Sequence, residues 1–367
     1  MSISGIARPN ILNIKPYTPG KPIEALKREL SITGEIAKLA SNENPLGPSP
    51  RAIAAVQKAL PELHLYPDDT CFYLKAKIAE RLKVTPDMVI ITNGSAELIH
   101  LITTAFLPPD KALVRSTPSF IMGKIAAQII GGKVINVPVK NNRHDVEAIL
   151  SATTSEVNIV YIDNPNNPLG TLIPVKEFEY LVEHLPKNTL LVIDEAYREY
   201  NDPTVLPPTL DYVKNKENII MLRTFSKIYG LAGLRIGYGI ASANIISILQ
   251  RVRLPFNANR LAQTAASAAI DDIDYVQKSK ALNDTEKGFL YRAFDEMKLP
   301  YIPSYTNFIT VDIGRDTTQV YTALQTRGII VRPLKAYNLP THLRISIGTR
   351  EQNERLISAM QEVLSQK

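Results

Sequence analysis

Lys227 stands in the run Thr224-Phe225-Ser226-Lys227, where its neighbours argue against a solvated surface charge. The apolar stretch Ile219-Ile220-Met221-Leu222 before it reads as a buried strand. Gly230-Leu231-Ala232-Gly233-Leu234 after it is too small and apolar for an outer surface. Two hydroxyls, an amine and the Arg235 guanidinium are therefore carried inward together. Burial lowers a lysine pKa, and a neutral amine is the nucleophile that condenses with an aldehyde. The Thr224 and Ser226 hydroxyls with Arg235 suit a phosphate beside that amine. An aldehyde that carries a phosphate is pyridoxal phosphate.

That cofactor sets further requirements. Its ring withdraws electrons only while the pyridine nitrogen is protonated, which calls for a buried carboxylate. The strand-like run Leu190-Leu191-Val192-Ile193 ends in Asp194, and Tyr197 follows three residues on, within reach of the ring 3-oxygen. Ile159-Val160-Tyr161-Ile162 runs into the turn Asp163-Asn164-Pro165-Asn166-Asn167-Pro168-Leu169-Gly170, from which Asn167 could reach the same oxygen. Val89-Ile90-Ile91 leads through Asn93-Gly94-Ser95-Ala96-Glu97 into a helical pattern, whose free amides suit an anion. Taken singly, these residues have plainer readings. Asp194 could cap a helix, Asn167-Pro168 could be only a turn, and Arg344 could be a structural ion pair. His64, His100, His144, His184 and His342 read as packing or surface residues. One cofactor explains why the rest occur together.

These motifs resemble the fold-type I pyridoxal-phosphate aminotransferases, and within them the histidinol-phosphate aminotransferase family. The resemblance spans nearly the whole chain. It begins at Ile14-Lys15-Pro16-Tyr17-Thr18-Pro19-Gly20 and takes in Ser41-Asn42-Glu43-Asn44-Pro45-Leu46-Gly47 and Tyr66-Pro67-Asp68. It continues through the Asn167 turn, Asp194–Tyr197 and Thr224–Gly237 to Leu343-Arg344-Ile345-Ser346. It implies that Lys227 joins the cofactor aldehyde and then carries the proton at the substrate α-carbon. Asp194 would pair with the ring nitrogen, with Asn167 and Tyr197 on the 3-oxygen and Phe120 stacked on the ring. The Ser95 and Ala96 amides, Ser226, Arg235 and a Tyr66 donated by a homodimer partner would hold the cofactor phosphate. Arg344, Arg332, Tyr17 and Asn44 would meet the substrate. The implied reaction is transfer of the amino group of L-histidinol phosphate to 2-oxoglutarate, in histidine biosynthesis. Related activities on the same architecture are aromatic amino-acid transamination, threonine-phosphate decarboxylation and a silent cofactor-binding regulator. Leu169 departs from the usual threonine of that turn, and Ala96 from a common aspartate.

The elements that must position these groups alternate between β-rich and helical runs from about Pro48 to Pro255, the pattern of an α/β sheet. Strands are expected at 89–91, 112–114, 133–137, 158–162, 190–193, 219–222 and 236–240, with site residues just past their C-terminal ends. Helices are expected at 51–60, 95–106, 120–130, 176–184 and 245–252. The fold class is thus α/β, with a mixed, mostly parallel seven-stranded sheet and a smaller α+β domain. The division is an arm with part of the small domain at 1–47, a large domain at 48–255, and a linking helix with the small domain at 256–367. In the last, a long helix over 274–297 leads to strand 308–312, helix 318–327, strands 329–332 and 343–347, and helix 352–364. The Pro-rich arm from Pro9 to Pro22 is expected to cross the small domain or the partner.

With 367 residues, 45% hydrophobic and 21% charged, the chain suits a globular enzyme. Its net charge of +6 is scattered without a basic run, against nucleic acid and in keeping with anionic substrates. One cysteine, Cys71, excludes an internal disulfide and fits a reducing cytoplasm. The start Met1-Ser2-Ile3-Ser4-Gly5 lacks a leader pattern, no apolar run is long enough for a bilayer, and no Cys/His cluster suggests a metal.

Overall fold

Near-continuous Val/Ile/Leu runs make strands that are covered on both faces. The computed structural model, which describes residues 3–31 and 33–365, contains seven strands in one sheet, six of them mostly buried and the edge strand Lys133–Pro138 partly exposed. They are β1 (Val89–Thr92), β2 (Ala112–Thr117), β3 (Lys133–Pro138), β4 (Val157–Asp163), β5 (Leu190–Asp194), β6 (Ile219–Thr224) and β7 (Gly237–Ala241). The spatial order is β1-β7-β6-β5-β4-β2-β3. Only β7 is antiparallel to its neighbours, so its start lies at the same edge as the ends of the other six. Successive side chains alternate between faces. Leu191, Ile193, Ile219 and Met221 join one buried cluster, while Leu190, Val192, Ile220 and Leu222 join another on the opposite face. Each such side chain contributes about 1.5–3 kcal/mol by leaving water, which is ample reason for a fixed register. Helix α1 (Gly94–Phe106) covers the second face through Leu98, Ile99 and Ile102.

The smaller unit is an antiparallel sheet of β8 (Tyr301–Ile302), β9 (Phe308–Asp312), β10 (Arg332–Pro333) and β11 (His342–Ser346), in the order β10-β11-β9-β8. Its core joins Ile309, Leu343 and Ile345 to Leu290 and Phe294 of helix α2 (Ile273–Glu296). Val320 of α3 (Thr317–Gln325) and Leu356 of α4 (Arg350–Ser365) complete it.

Several elements differ from expectation. The strand expected over 329–332 is divided: Ile329–Ile330 pairs in parallel with Ala37–Lys38, and Arg332–Pro333 turns to β11. The helix expected from Phe120 begins at Met122, because residues 118–121 form a turn tied to β4. Packing continues across the division expected after residue 255. Ala262, Ala265 and Ala266 of the helix Arg260–Ala269 pack in the same core as Ile193 and Met221, so the large unit's packing extends to about Ile270. The arm packs first on the large unit. Arg8 donates to the Ile129 and Ile130 carbonyls and Asn10 to those of Gln128 and Ile129, satisfying the end of the helix Met122–Ile130. Met1 and Ser2, read for a leader, lie outside the described residues, as do Ile32, Gln366 and Lys367. Among the described residues no helix is long and apolar enough to cross a membrane, and no group of His, Cys, Asp and Glu could hold a metal.

Candidate active site

Six chain segments reach the sheet edge where the strands end, and together they line one cleft. Ser95 and Ala96 follow β1, Phe120 follows β2, Asp163 ends β4 with Asn167 beyond it, and Asp194 ends β5. Thr224 ends β6, with Ser226 and Lys227 following, and Arg235 precedes β7. Ten of the expected groups thus converge on one cavity: Ser95, Ala96, Phe120, Asn167, Asp194, Tyr197, Thr224, Ser226, Lys227 and Arg235.

Asp194 is only 3% exposed. Its Oδ2 accepts from the Tyr161 hydroxyl at 3.0 Å and its Oδ1 from the Ala196 amide at 3.1 Å. Burial, reinforced by the neighbouring Asp163 charge, pushes its pKa up to about 7. Such a carboxyl gains most from a cation set against it. Lys227 Nζ donates to the Ser41 carbonyl at 3.2 Å and lies 5.7 Å from the centre of the Tyr197 ring. Burial first, then the Arg344 charge, brings its pKa down to about 8. Gly230, at φ +70°, lets the lysine loop close against residues 47–48, since a Cβ there would collide with the Gly47 carbonyl. The buried Tyr197 hydroxyl accepts from Asn42 Nδ2 at 2.8 Å and Asn167 Nδ2 at 3.4 Å, and burial raises its pKa.

One end of the cleft is built for an anion. The Asn93 side chain makes no cap at the start of α1, and the Glu97 carboxylate takes only the Asn93 amide, which leaves the following amides of the first turn without a side-chain partner. Arg235 Nη1 donates to Ser226 Oγ at 3.3 Å and to the Ala232 carbonyl at 3.0 Å. Its guanidinium lies over Gly94, where a Cβ would come within 2.6 Å of Nη2. The Thr224 hydroxyl accepts from the Ser226 amide at 3.1 Å and so shapes the turn. The cleft thus supplies an amine of lowered pKa, a buried carboxyl and an uncapped helix end with a guanidinium. That donor set fits pyridoxal phosphate group by group.

Arg344 comes from the small unit. It donates to Asn167 Oδ1 at 2.6 Å and to the Ala40 carbonyl at 2.8 Å, above the Phe308 ring. Its buried Nε has no partner, an orphaned donor that an anion would satisfy. Arg332 and Tyr17 line an adjoining depression: the guanidinium lies 5.9 Å from the Tyr17 ring and donates to the Thr18 carbonyl at 2.7 Å. Tyr66 is outside the cleft, 78% exposed and stacked on Phe256 at 4.6 Å.

Asn44 corrects an expectation. Its amide donates to the Ile228 carbonyl and Ser279 hydroxyl, and its oxygen accepts from Leu46, so the side chain braces the lysine loop and does not face the cleft. Asn42, two residues earlier, makes the contact to Tyr197. Sequence reasoning also passed over Tyr161 and Asp163, although the two-residue spacing along β4 places both on one strand face. His144, read as packing, is buried with its ring nitrogens at Ser116 Oγ and the Asp163 carbonyl.

Residues 34–360 match the family described as aminotransferase class I and II. The chain is 46% identical over 359 residues to a histidinol-phosphate aminotransferase of Moorella thermoacetica, covering 98% of this chain and 93% of that protein. Identity is 44% with the enzyme of the same name from Caldicellulosiruptor saccharolyticus, over 96% of this chain and 99% of that protein. The crystal structure of histidinol-phosphate aminotransferase from Sinorhizobium meliloti in complex with pyridoxal-5'-phosphate superposes with a TM-score of 0.90 at 30% identity, over 98% of both chains. The chain belongs to the class I and II aminotransferases and, among them, to the histidinol-phosphate aminotransferase family.

Proposed function

We propose that this chain is a pyridoxal-phosphate-dependent transaminase that moves the amino group of L-histidinol phosphate to 2-oxoglutarate, giving imidazole acetol phosphate and L-glutamate. The observation that carries the reading is one cleft holding Lys227, Asp194 and, at the α1 terminus, Arg235, with Arg344, whose Nε is unpaired, bonded to Asn167 of its lining. When bound, the cofactor supplies an electron sink for charge developing at the substrate α-carbon. Asp194 holds the ring-nitrogen proton, since a buried carboxyl is an ion only beside a cation. Asn167 and Tyr197 donate to the ring 3-oxygen, and Phe120 covers a ring face. The Ser95 and Ala96 amides, Ser226, Thr224 and Arg235 hold the cofactor phosphate. Lys227, with a pKa near 8, keeps a neutral fraction at neutral pH, so Nζ can take the α-proton and return it. A planar guanidinium grips carboxylate or phosphate, so Arg344 serves both substrates, with Arg332 and Tyr17 at the phosphate ester.

A homodimer completes this reading. Leu63, Leu65, Phe72, Tyr73 and Leu254 are exposed around Tyr66, an apolar surface that a second copy would cover. The Tyr66 loop is braced from behind: Arg260 donates to the Tyr66 carbonyl at 3.0 Å, and Arg253 pairs with Asp69 at 2.7 Å. Tyr66 then reaches the cofactor phosphate of the neighbouring subunit. The cytoplasm is the compartment this enzyme would occupy.

The test is glutamate formation from 2-oxoglutarate with histidinol phosphate, phenylalanine or threonine phosphate as the second reactant. Histidinol phosphate is expected to have the highest kcat/KM. A higher value for phenylalanine would make the enzyme an aromatic aminotransferase, and carbon dioxide release from threonine phosphate would make it a decarboxylase.

A further inference from the structure

Asp163 lines the cleft, yet its carboxylate is occupied by its own chain. Oδ1 accepts from the Ser119 hydroxyl at 2.6 Å and from Asn166 Nδ2 at 3.4 Å. Oδ2 accepts from the Phe120 amide at 3.1 Å and the Asn167 amide at 2.7 Å. Two oxygens offer about four acceptor sites, so these four donors leave none for a ligand.

Two of those donors belong to residues that face the cleft. Phe120 and Asn167 lie in separate turns, 47 positions apart in sequence, after β2 and β4. Neither turn belongs to a regular element at that point, so neither gains rigidity from the sheet ladder. The Oδ2 atom of Asp163 joins them. Other groups secure the frame around it. Arg115, buried in β2, donates to the Ser119 carbonyl at 2.7 Å, holding the Phe120 turn from its other side. His144, kept neutral by burial, has Nε2 2.9 Å from the Asp163 carbonyl oxygen and Nδ1 2.7 Å from Ser116 Oγ. The main chain of Asp163 is thereby held as firmly as its side chain.

We infer that Asp163 is a positioning residue whose single carboxylate sets the Phe120 ring and the Asn167 amide relative to each other, so that the cofactor meets both in one fixed arrangement. This rests on the reading that the cleft binds pyridoxal phosphate. Binding to a preorganised pair avoids the entropy of ordering two loops, so the loss of Asp163 should appear first in cofactor affinity.

The experiment compares wild type with Asp163→Asn and Asp163→Ser. Asparagine keeps the shape but turns one acceptor into a donor facing donors, and serine keeps one small acceptor. Each protein is prepared without cofactor and its folding checked by far-ultraviolet circular dichroism. It is then titrated with pyridoxal phosphate, following the induced circular dichroism of the bound cofactor, which reports how the ring is seated. We expect affinity to fall by about tenfold or more in Asp163→Asn, as for loss of a bond to a charged group. The induced signal per bound cofactor should change in size, while the cofactor-free variant stays folded. Ser119→Ala removes only the hydroxyl bond and leaves both amides tied, so it should stay within about twofold of wild type. A folded Asp163→Asn with unchanged affinity and unchanged induced signal overturns the inference. Failure of both Asp163 variants to fold also overturns it, since Asp163 would then be a determinant of the fold. A wild-type chain that does not bind pyridoxal phosphate would sink the underlying functional reading instead.

Discussion

Asp194 and Lys227 have pKa values displaced towards each other by the same cause, burial, acting on opposite charges. The Asp194 carboxyl rises from 3.8 to about 7, so the cofactor-free folded chain keeps a proton there that the unfolded chain releases. Between those values the folded state binds more protons than the unfolded one. The contribution of this group to stability is therefore present near pH 4 and lost as pH rises through 7, at up to about 1.4 kcal/mol per pH unit. Melting of the cofactor-free protein from pH 4 to 7 should show this slope, and Asp194→Asn should remove it. In the loaded enzyme, Asp194→Asn should lower kcat by several orders of magnitude while cofactor still binds, because a neutral amide cannot hold a pyridinium proton. Near-normal single-turnover rates would show another partner for the ring nitrogen. Arg344→Ala removes a desolvated bidentate donor and should cost on the order of 2–5 kcal/mol with glutamate and with histidinol phosphate alike. Damage to only one half-reaction would mean separate anion sites.

At the scale of elements, the anion site depends on the abrupt passage from β1 into α1. Gly94 takes φ +77° there, and the Arg235 guanidinium occupies the space that a side chain would need. Gly94→Ala should therefore cost about 1–3 kcal/mol of stability through backbone strain. It should also push Arg235 away from the helix end and weaken pyridoxal phosphate binding. Thermal melts with and without cofactor separate the two effects: the cofactor-induced rise in Tm should shrink as well as the Tm itself. An undiminished rise would show that Arg235 does not hold the phosphate. The lysine loop is braced in a comparable way from the opposite domain segment, through Asn44 to the Ile228 carbonyl.

For the whole molecule, the exposed Tyr66 and its apolar surroundings make a reciprocal site the central prediction. A two-fold dimer would let each chain complete the other's cleft. Inactive Lys227→Ala mixed with a severely defective Tyr66→Ala protein, after subunit exchange, should gather both lesions in one site and leave the other intact. With random exchange about half the dimers are mixed, so about a quarter of all sites should regain activity. Activity that stays at the unmixed level after proven exchange would exclude the shared site. Borohydride reduction followed by peptide mapping should place the cofactor on Lys227; any other lysine would displace the whole assignment.

The amino-acid order by itself pointed to where most of these groups lie, because most of them stand at or within a few residues after an apolar run that reads as a covered strand. Such runs end at one sheet edge, so Asp194, Asn167 and Lys227 could be read as neighbours although they are far apart in the chain. Local pattern could not say which atoms of a turn face the cavity. Asn42 and Asn44 are the same residue type two positions apart, and only the packing of Ile228 and Ser279 against one of them leaves the other for Tyr197. Likewise Asp163 reads as the start of a turn until β2 and β4 lie side by side and bring the Phe120 amide to it. The split of 329–332 between two sheets and the extension of the large unit to Ile270 were also tertiary decisions. Long-range contacts decide these points because a hydrogen bond between distant turns exists only after burial has ordered both, and no local periodicity encodes which donor arrives.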